Sequence, residues 1–305
     1  MEQPIVYFNN VSDYNNSCKQ ETFHPLISII NLSECPPRDW SAGTTVKMNF
    51  GIYAVFLKDV VCGDIKYGRH YYDYQEGTLV FAGPGQVWDV EYEIANYQPK
   101  GHVLVFHPDL VRATPLGKII GDYRFFSYRT NEALHLSQKE RQLVIDFFDK
   151  IQFEIQQPID KHSKKLIAAN IELFLGYCDR FYDRQFITRE HVNKGTIEKF
   201  EDLLNRYFAS DKPQKFGLPS VMYCADKLHL SANYFGDLVK KETGKSAQEL
   251  IQEKIIDCAK DKIVEVSGES LSEIAYSLGF KYPQHFTRLF KQKTGVTPNE
   301  YRNFS

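Results

Sequence analysis

The sequence predicts an α+β protein with an N-terminal β domain, a helical segment and a C-terminal all-α domain. Three observations predict this organisation. Short runs of β-branched and aromatic residues alternate with Gly and Pro over residues 25–108, apolar residues recur at helical spacing from Ser137, and one sequence block occurs twice within residues 220–302. The predicted boundaries are 1–135 for the β domain, 136–183 for the helical segment, 184–195 for a linker and 196–305 for the all-α domain.

The β domain is predicted from short runs of strand-forming residues. They are Leu26–Ile30, Val46–Leu57, Thr78–Ala82, Val87–Ile94 and Val103–Phe106. Strands at this spacing are typical of a sandwich or a small barrel. The first 20 residues are polar and predict a loosely attached arm or an edge strand.

The helical segment contains two predicted helices. Ser137 and Glu140 have the spacing of a capping box, and the second helix runs from about Asp160 to Tyr182 with two apolar stripes. A surface helix needs only one stripe, so one of the two packs on something else, either a symmetric partner or another domain of the same chain. The residues predicted to mediate dimerisation are Ile167, Ile171, Phe174, Cys178 and Phe181. The polar segment that follows has no helical periodicity and predicts the linker.

The duplicated block predicts a pair of helix–turn–helix units. In each copy the second helix carries inward-facing apolar residues and ends in Thr-Gly, at Gly244 and Gly295, where glycine forms a left-handed cap. Ser246 begins a capping box that starts the helix joining the units. Two further boxes have the same spacing; they begin at Ser270 and Thr297.

A helix–turn–helix places its second helix in the major groove of DNA. The outward residues of the first such helix are predicted to be Ala232, Asn233, Gly236, Asp237 and Lys240. Those of the second are predicted to be Tyr282, Gln284, Thr287, Arg288 and Lys291. Asn and Gln pair with adenine edges and Arg with guanine, so the second set has the chemistry of base recognition. The alternative is that the repeat only builds a helical bundle.

This C-terminal segment resembles the tandem helix–turn–helix domain of AraC/XylS-type transcriptional regulators. The matching residues are Ile274–Phe280, His285–Lys291 and Thr294–Arg302. The resemblance implies double-stranded DNA and RNA polymerase as partners and ligand-dependent activation of promoters. One residue departs from the pattern: Asp237 stands where such proteins usually carry arginine, and a carboxylate repels phosphate or accepts from cytosine. The first helix–turn–helix unit is therefore expected to accept few base sequences or to bind DNA weakly.

The N-terminal half resembles the cupin-like sensor domain of the same regulators over Gly77–Val87 and Gly101–Leu110. Such small barrels hold one ligand or are filled by side chains. Trp88 stands where metal-binding cupins place histidine, so neither a metal nor another cofactor is expected. An effector pocket for a sugar or another metabolite is predicted at Tyr53, Tyr72 and Trp88, because aromatic faces stack on flat ligands. The alternative is that these are core and strand-face residues.

The composition excludes several protein classes. The net charge is −2, and residues 196–305 carry +1, so charge alone does not indicate nucleic acid. Six cysteines without a Cys-x-x-Cys pair argue against zinc and a disulfide framework. The sequence starts without a secretory pattern and has no apolar run of membrane-spanning length. A cytoplasmic protein without membrane contact is expected.

An enzyme with an appended DNA-binding tail is the competing class. It needs a metal cage or an acid–base pair in a cleft, and the residue spacing assembles neither, so no catalytic residues and no enzyme activity are predicted. A further alternative is a metal-free regulator with a filled barrel, controlled by a protein partner or by no ligand.

Overall fold

The protein is described by a computed structural model, which covers residues 4–38, 40–58, 77–92, 94–188, 190–265 and 269–304. The chain divides into two compact units, Met1–Ile187 and Thr188–Ser305. The first combines β-sheets with helices and the second is helical, so the α+β prediction is confirmed.

The strands of the first unit form two sheets within the described residues. They are β1 (Ile5–Phe8), β2 (Ile27–Asn31), β3 (Thr44–Phe50), β4 (Tyr53–Lys58), β5 (Thr78–Ala82), β6 (Gln86–Tyr92), β7 (His102–Phe106) and β8 (Leu134–His135). One sheet has the order β1-β3-β6 and the other β2-β7-β4-β5-β8. The sequence left both a barrel and a sandwich open. The described strands form two facing sheets that do not close into a barrel.

The run Val46–Leu57, predicted as one strand, is two strands in different sheets. β3 is antiparallel to β6 and β4 is antiparallel to β5 and β7, with the change of sheet at Gly51. A Cβ at Gly51 would lie 3.1 Å from the Cα of Asn9, so the glycine allows the N-terminal chain to pass closely. Both halves of the run have strand-forming residues, so Gly51 alone marks the break in the composition of the run.

The two sheets face each other across an apolar cluster. Phe8 and Phe50 are buried in it, and Phe56 and Trp88 pack against it. Burying one such phenylalanine stabilises the fold by about 1.5–3 kcal/mol. The polar N terminus belongs to this arrangement: β1 is a parallel edge strand beside β3, and α1 (Val11–Ser17) follows, capped by Asn10 and Asp13.

Four helices complete the first unit: α2 (Pro108–Val111), α3 (Pro115–Ile119), α4 (Gln138–Gln156) and α5 (Ser163–Thr188). The predicted capping box of α4 is confirmed, since the Ser137 hydroxyl accepts from the Glu140 amide and the Glu140 carboxylate accepts from the Ser137 amide. Four 3-10 turns lie at Leu32–Glu34, Ile120–Asp122, Arg124–Ser127 and Thr130–Glu132.

The structure corrects the predicted dimerisation stripe of α5. Its five residues, Ile167, Ile171, Phe174, Cys178 and Phe181, are all buried inside the unit. Phe174 lies 5.6 Å from Phe148 of α4, measured between ring centroids. The stripe therefore holds α5 on its own unit and is not available to a partner. The second stripe, which consists of Leu166, Leu173 and Tyr177, is the more exposed one.

In its described residues, the predicted linker 184–195 is helical and not a loop. α5 continues to Thr188 and α6 (Glu190–Phe208) begins two residues later, with Arg189 outside the described residues. Periodicity failed here because few apolar residues mark the helical face. A buried polar residue holds the segment instead: the Asn193 amide donates to a Glu242 carboxylate oxygen at 2.8 Å.

The second unit consists of α6 and seven further helices within the described residues. These are α7 (Lys212–Phe216), α8 (Val221–Lys227), α9 (Ala232–Thr243), α10 (Ala247–Glu265), α11 (Leu271–Ser277), α12 (Pro283–Thr294) and α13 (Pro298–Phe304). Phe200, Phe235, Phe286 and Phe290 are fully buried in one cluster. The helices α9, α11 and α12 all contact α10, which therefore joins the two copies of the repeat through a single core.

Candidate nucleic-acid interface

The two helix–turn–helix units have the same turn. His229 donates its backbone N–H to Asp226 and Gly279 donates to Tyr276, while the next residue bonds back to the buried alanine of the first helix in both copies. Both His229 and Gly279 adopt the left-handed conformation, with φ of 60° and 94°. The duplication detected in the sequence is therefore a duplication of backbone geometry.

The first predicted reading helix, α9, presents a mixed surface. Asn233 and Lys240 are exposed, whereas Ala232, Gly236 and Asp237 are half-buried. Ser231 caps the helix by accepting from the Tyr234 amide, and Gly244 ends it with a φ of 73°. The opposite face carries Phe235, Leu238 and Val239 in the core.

The second predicted reading helix, α12, exposes all five predicted residues: Tyr282, Gln284, Thr287, Arg288 and Lys291. Neither Gln284 nor Arg288 makes a hydrogen bond or an ion pair with the described part of the chain, so both donor sets are available to a ligand. Thr287 differs, because its hydroxyl donates to the Pro283 carbonyl at 3.2 Å within the helix. Phe286 and Phe290 anchor the opposite face.

The predicted capping boxes of the second unit all form. The carboxylates of Glu249, Glu273 and Glu300 accept from the amides of Ser246, Ser270 and Thr297 at 2.7–2.8 Å. These hydrogen bonds lower the pKa of the three exposed carboxyls. A lowered folded-state pKa adds stability at neutral pH, and that contribution is lost as the pH falls through the folded value.

Not every cation of the unit is available to phosphate. Lys245 pairs with Glu253 at 2.8 Å. Lys240, Lys241, Lys291 and Lys293 lie in the last turns of α9 and α12, where they also complement the helix dipoles. The unit therefore has cations at particular positions and not a large excess of positive charge, which agrees with the near-neutral net charge of the segment.

Sequence reasoning omitted exposed residues beside the predicted set. His285 lies on α12, with its ring 5.5 Å from that of Tyr282, and the Lys281 ammonium lies 5.8 Å from the same tyrosine ring. His285 lies within the motif that the sequence identified. Only the folded chain shows that it is exposed, in contrast to buried residues of the same motif.

Tyr53 and Trp88, two of the three predicted effector residues, do not converge. Tyr53 and Phe56 lie on opposite faces of β4 because their positions differ by three. Tyr53 stacks on Phe106 at 4.9 Å, whereas Trp88 packs between the sheets, 5.5 Å from Phe56. The third residue, Tyr72, lies outside the described residues. Tyr53 and Trp88 therefore do not line one pocket, because alternate strand positions direct them apart.

A family profile described as "Helix-turn-helix domain" matches residues 224–303, which include both turns. The C-terminal unit contains an AraC-type helix–turn–helix DNA-binding domain. The Bacillus subtilis protein named "Uncharacterized HTH-type transcriptional regulator YobQ" is 25% identical over 261 residues, which cover 81% of this chain and 95% of that protein. The chain thus contains a DNA-binding domain of the AraC type, which supports double-stranded DNA as a partner.

Two further Bacillus subtilis relatives match a smaller part of the chain. "Uncharacterized transcriptional regulatory protein YesN" is 35% identical over 25% of this chain and 21% of its own length. "Bifunctional transcriptional activator/DNA repair enzyme AdaA" is 31% identical over 34% of this chain and 47% of its own length. The chain spans less than half the length of these two relatives.

Within the described ranges, every helix is too short or too polar to serve as a membrane span. The same ranges contain no group of three or more His, Cys, Asp or Glu side chains arranged to hold a metal ion.

Proposed function

We propose that the AraC-type domain reads one DNA site with both α9 and α12, and that α12 supplies most of the base recognition. The observation that carries this proposal is the exposure of Gln284 and Arg288 without any partner in the described chain. Their amide and guanidinium groups match adenine and guanine edges in the major groove. Selection of binding sequences from randomised duplexes tests it: two conserved segments, one per helix, are expected.

The carboxylate of Asp237 weakens the contribution of α9 to binding. Asp237→Arg is expected to raise the affinity for DNA and to steepen its dependence on salt by about one phosphate contact, because a new cation releases a counterion. Gel-shift titration over a range of salt concentrations measures both quantities. Asp149→Arg, at an exposed position of α4 in the other unit, changes the charge equally and serves as control. A loss of affinity in Asp237→Arg would instead identify the carboxylate as a reader of a base.

The protein forms a homodimer through the exposed stripe of α5. Leu166 and Leu173 are 45% and 55% exposed. With Ala169 and Gly176 they form a stripe in which the spacing alternates between three and four residues. A Cβ at Gly176 would meet nothing within 4 Å, so a second helix can approach closely there. Such a stripe fits the seam of two packed helices, and a second copy of this chain is the occupant that symmetry favours.

Leu173→Glu tests the dimer. The wild-type chain is expected to have twice the monomer mass by light scattering at micromolar concentration, and the variant the monomer mass, because burying an unpaired carboxylate is unfavourable. Phe153→Glu is the matched control, since Phe153 is exposed on α4 and away from this stripe. A monomeric wild type, or a variant that stays dimeric, contradicts the proposal.

The β unit acts as a sensor that makes the regulator a ligand-responsive activator in the cytoplasm. Trp88 is partly exposed and packs on Phe50 and Phe56 between the sheets. The buried Thr78 hydroxyl has no hydrogen-bond partner among the described residues and lies on the Phe56 face of its sheet, as the strand register requires. A flat polar metabolite such as a sugar matches these groups. A thermal-shift screen of sugars tests this, because a ligand that binds only the folded state raises the Tm.

A further inference from the structure

The residue that precedes the reading helix differs between the two copies of the helix–turn–helix motif. In the first copy, Ser231 precedes α9 and accepts a hydrogen bond from the Tyr234 amide. The residue in the same place before α12 is Tyr282, whose side chain makes no capping hydrogen bond. Short polar side chains such as serine and aspartate are strongly preferred here, because they reach the free amides of the first helical turn. The second reading helix therefore lacks a stabilising cap that the first one has.

The turn before α12 is also one residue longer than the turn before α9. In the first copy, one residue separates the left-handed His229 from Ser231. In the second copy, two residues separate the left-handed Gly279 from Tyr282. Ser231 is 8% exposed, whereas Tyr282 is 47% exposed. The second copy thus has a large aromatic side chain at the surface where the first copy has a buried serine.

Two neighbouring side chains position the ring of Tyr282. The His285 ring meets it edge-on, at an angle of 76° and with 5.5 Å between the ring centroids. The Lys281 ammonium lies 5.8 Å from the centroid of the tyrosine ring. Both arrangements are attractive, the first through the ring edges and the second through the charge of the ammonium. The ring is therefore placed at the N-terminal end of α12 without contributing to the core.

This ring is an apolar surface at one end of a polar reading face. Gln284 and Arg288, which follow it along α12, are proposed above to pair with adenine and guanine. The N-terminal residues of a reading helix are the ones that contact base edges in the major groove. The apolar group that the bases present in that groove is the C5-methyl of thymine. An exposed aromatic ring at this place matches that methyl group.

We propose that Tyr282 reads a thymine by packing its ring against the C5-methyl group. The inference rests on the proposed function of α12 and adds a base that Gln284 and Arg288 do not read. Tyr282 and Arg288 are six positions apart, which corresponds to about 9 Å along a helix, or roughly three base pairs. The thymine is therefore expected about three base pairs from the guanine of Arg288, at one end of the segment that α12 recognises.

Replacing thymine by uracil tests this contact, because the exchange removes only the methyl group. The segment of the selected duplex whose preference relaxes in Arg288→Ala is the segment of α12, and each thymine on either strand of it is replaced in turn. By gel-shift titration, the full-length wild type is expected to bind one uracil duplex about three- to fivefold more weakly, the effect of exposing one methyl group. Tyr282→Ser is expected to bind the thymine and uracil duplexes equally.

Two matched variants separate the ring from other causes. Tyr282→Phe keeps the ring and is expected to keep the uracil effect; loss of the effect in this variant would assign the role to the hydroxyl and overturn the proposal. Tyr276→Ser removes another exposed tyrosine, on α11, and is expected to keep the effect as well. The reason is that α11 is the first helix of its motif and crosses the DNA backbone instead of entering the groove.

The thermal stability of Tyr282→Ser separates loss of recognition from loss of folding. A serine at this position can accept from the His285 amide, so the transition at 222 nm is expected at a higher temperature than in the wild type. Thr297, which also precedes a proline, accepts from the Glu300 amide in this way at 3.2 Å. The predicted variant is therefore more stable and insensitive to the methyl group. A folded variant that keeps the uracil effect overturns the proposal.

Failure of this inference and failure of the proposed function give different results. If the α12 segment contains no thymine, or if no uracil exchange within it weakens wild-type binding, Tyr282 does not read a methyl group, although Arg288→Ala still relaxes one position. If Arg288→Ala changes neither the affinity nor the preference for any base, α12 does not read bases, and both proposals are overturned.

Discussion

Gly279→Ala is expected to unfold the helical unit at a much lower temperature than the wild type. Gly279 has a φ of 94°, and a Cβ there would lie 2.8 Å from both the Gly217 carbonyl carbon and the Pro213 oxygen. The left-handed conformation costs an ordinary residue about 1–2 kcal/mol, and overpacking costs about 1–3 kcal/mol more. Because the contacted atoms belong to the backbone, no rotamer change relieves them.

The measurement uses the distribution of tryptophans. Both, Trp40 and Trp88, lie in the first unit, so their fluorescence reports on that unit, whereas the ellipticity at 222 nm reports on helices of both units. The 222 nm transition of Gly279→Ala is expected at lower temperature, with the fluorescence transition unchanged. Gly236→Ala is a control with the opposite expected effect. Gly236 lies within α9, and a Cβ added there would meet nothing within 4 Å. The alanine is therefore expected to stabilise the helical unit by about 0.5–1 kcal/mol. An unchanged 222 nm transition in Gly279→Ala refutes the account of this turn.

Arg288→Ala is expected to weaken specific DNA binding by about 1–3 kcal/mol, or roughly 5- to 150-fold. Arg288 is exposed on α12, and a guanidinium that bonds guanine at two acceptors contributes both affinity and discrimination. The preference at one base pair is expected to relax. Gel-shift titration against the selected duplex, and against duplexes altered at each position, measures both effects.

Lys291→Ala is the control for base recognition. Lys291 is exposed one helical turn further along α12, where a lysine contacts phosphate. Its replacement is expected to lower the affinity for all sequences alike and to reduce the salt dependence by about one contact. If Arg288→Ala behaves in this uniform way instead, Arg288 binds the backbone and does not read a base.

The helical unit could be predicted well from the sequence because its signals are local. Caps such as Ser270 with Glu273, and Gly295 after a last helical turn, act within three or four residues. The duplication added a second copy of each signal. His229 shows the limit of this reasoning, because the left-handed turn is occupied there by a residue that rarely adopts it.

The first unit was harder because its structure depends on contacts between distant residues. The stripes of α5 are equally apolar, and only the position of α4 determines that Phe174 is buried and Leu173 exposed. The last turn of α5 and the start of α6 were missed because polar side chains such as Gln185 and Asn193 make buried contacts there that the apolar pattern does not show.

The central claim is that α9 and α12 enter neighbouring major grooves on one face of a duplex. Hydroxyl-radical footprinting of the wild-type protein on its selected duplex tests this most directly. Two protected stretches about one helical turn, or 10–10.5 base pairs, apart are the predicted result. A single stretch, or two separated by about half a turn and therefore on opposite faces of the DNA, contradicts it.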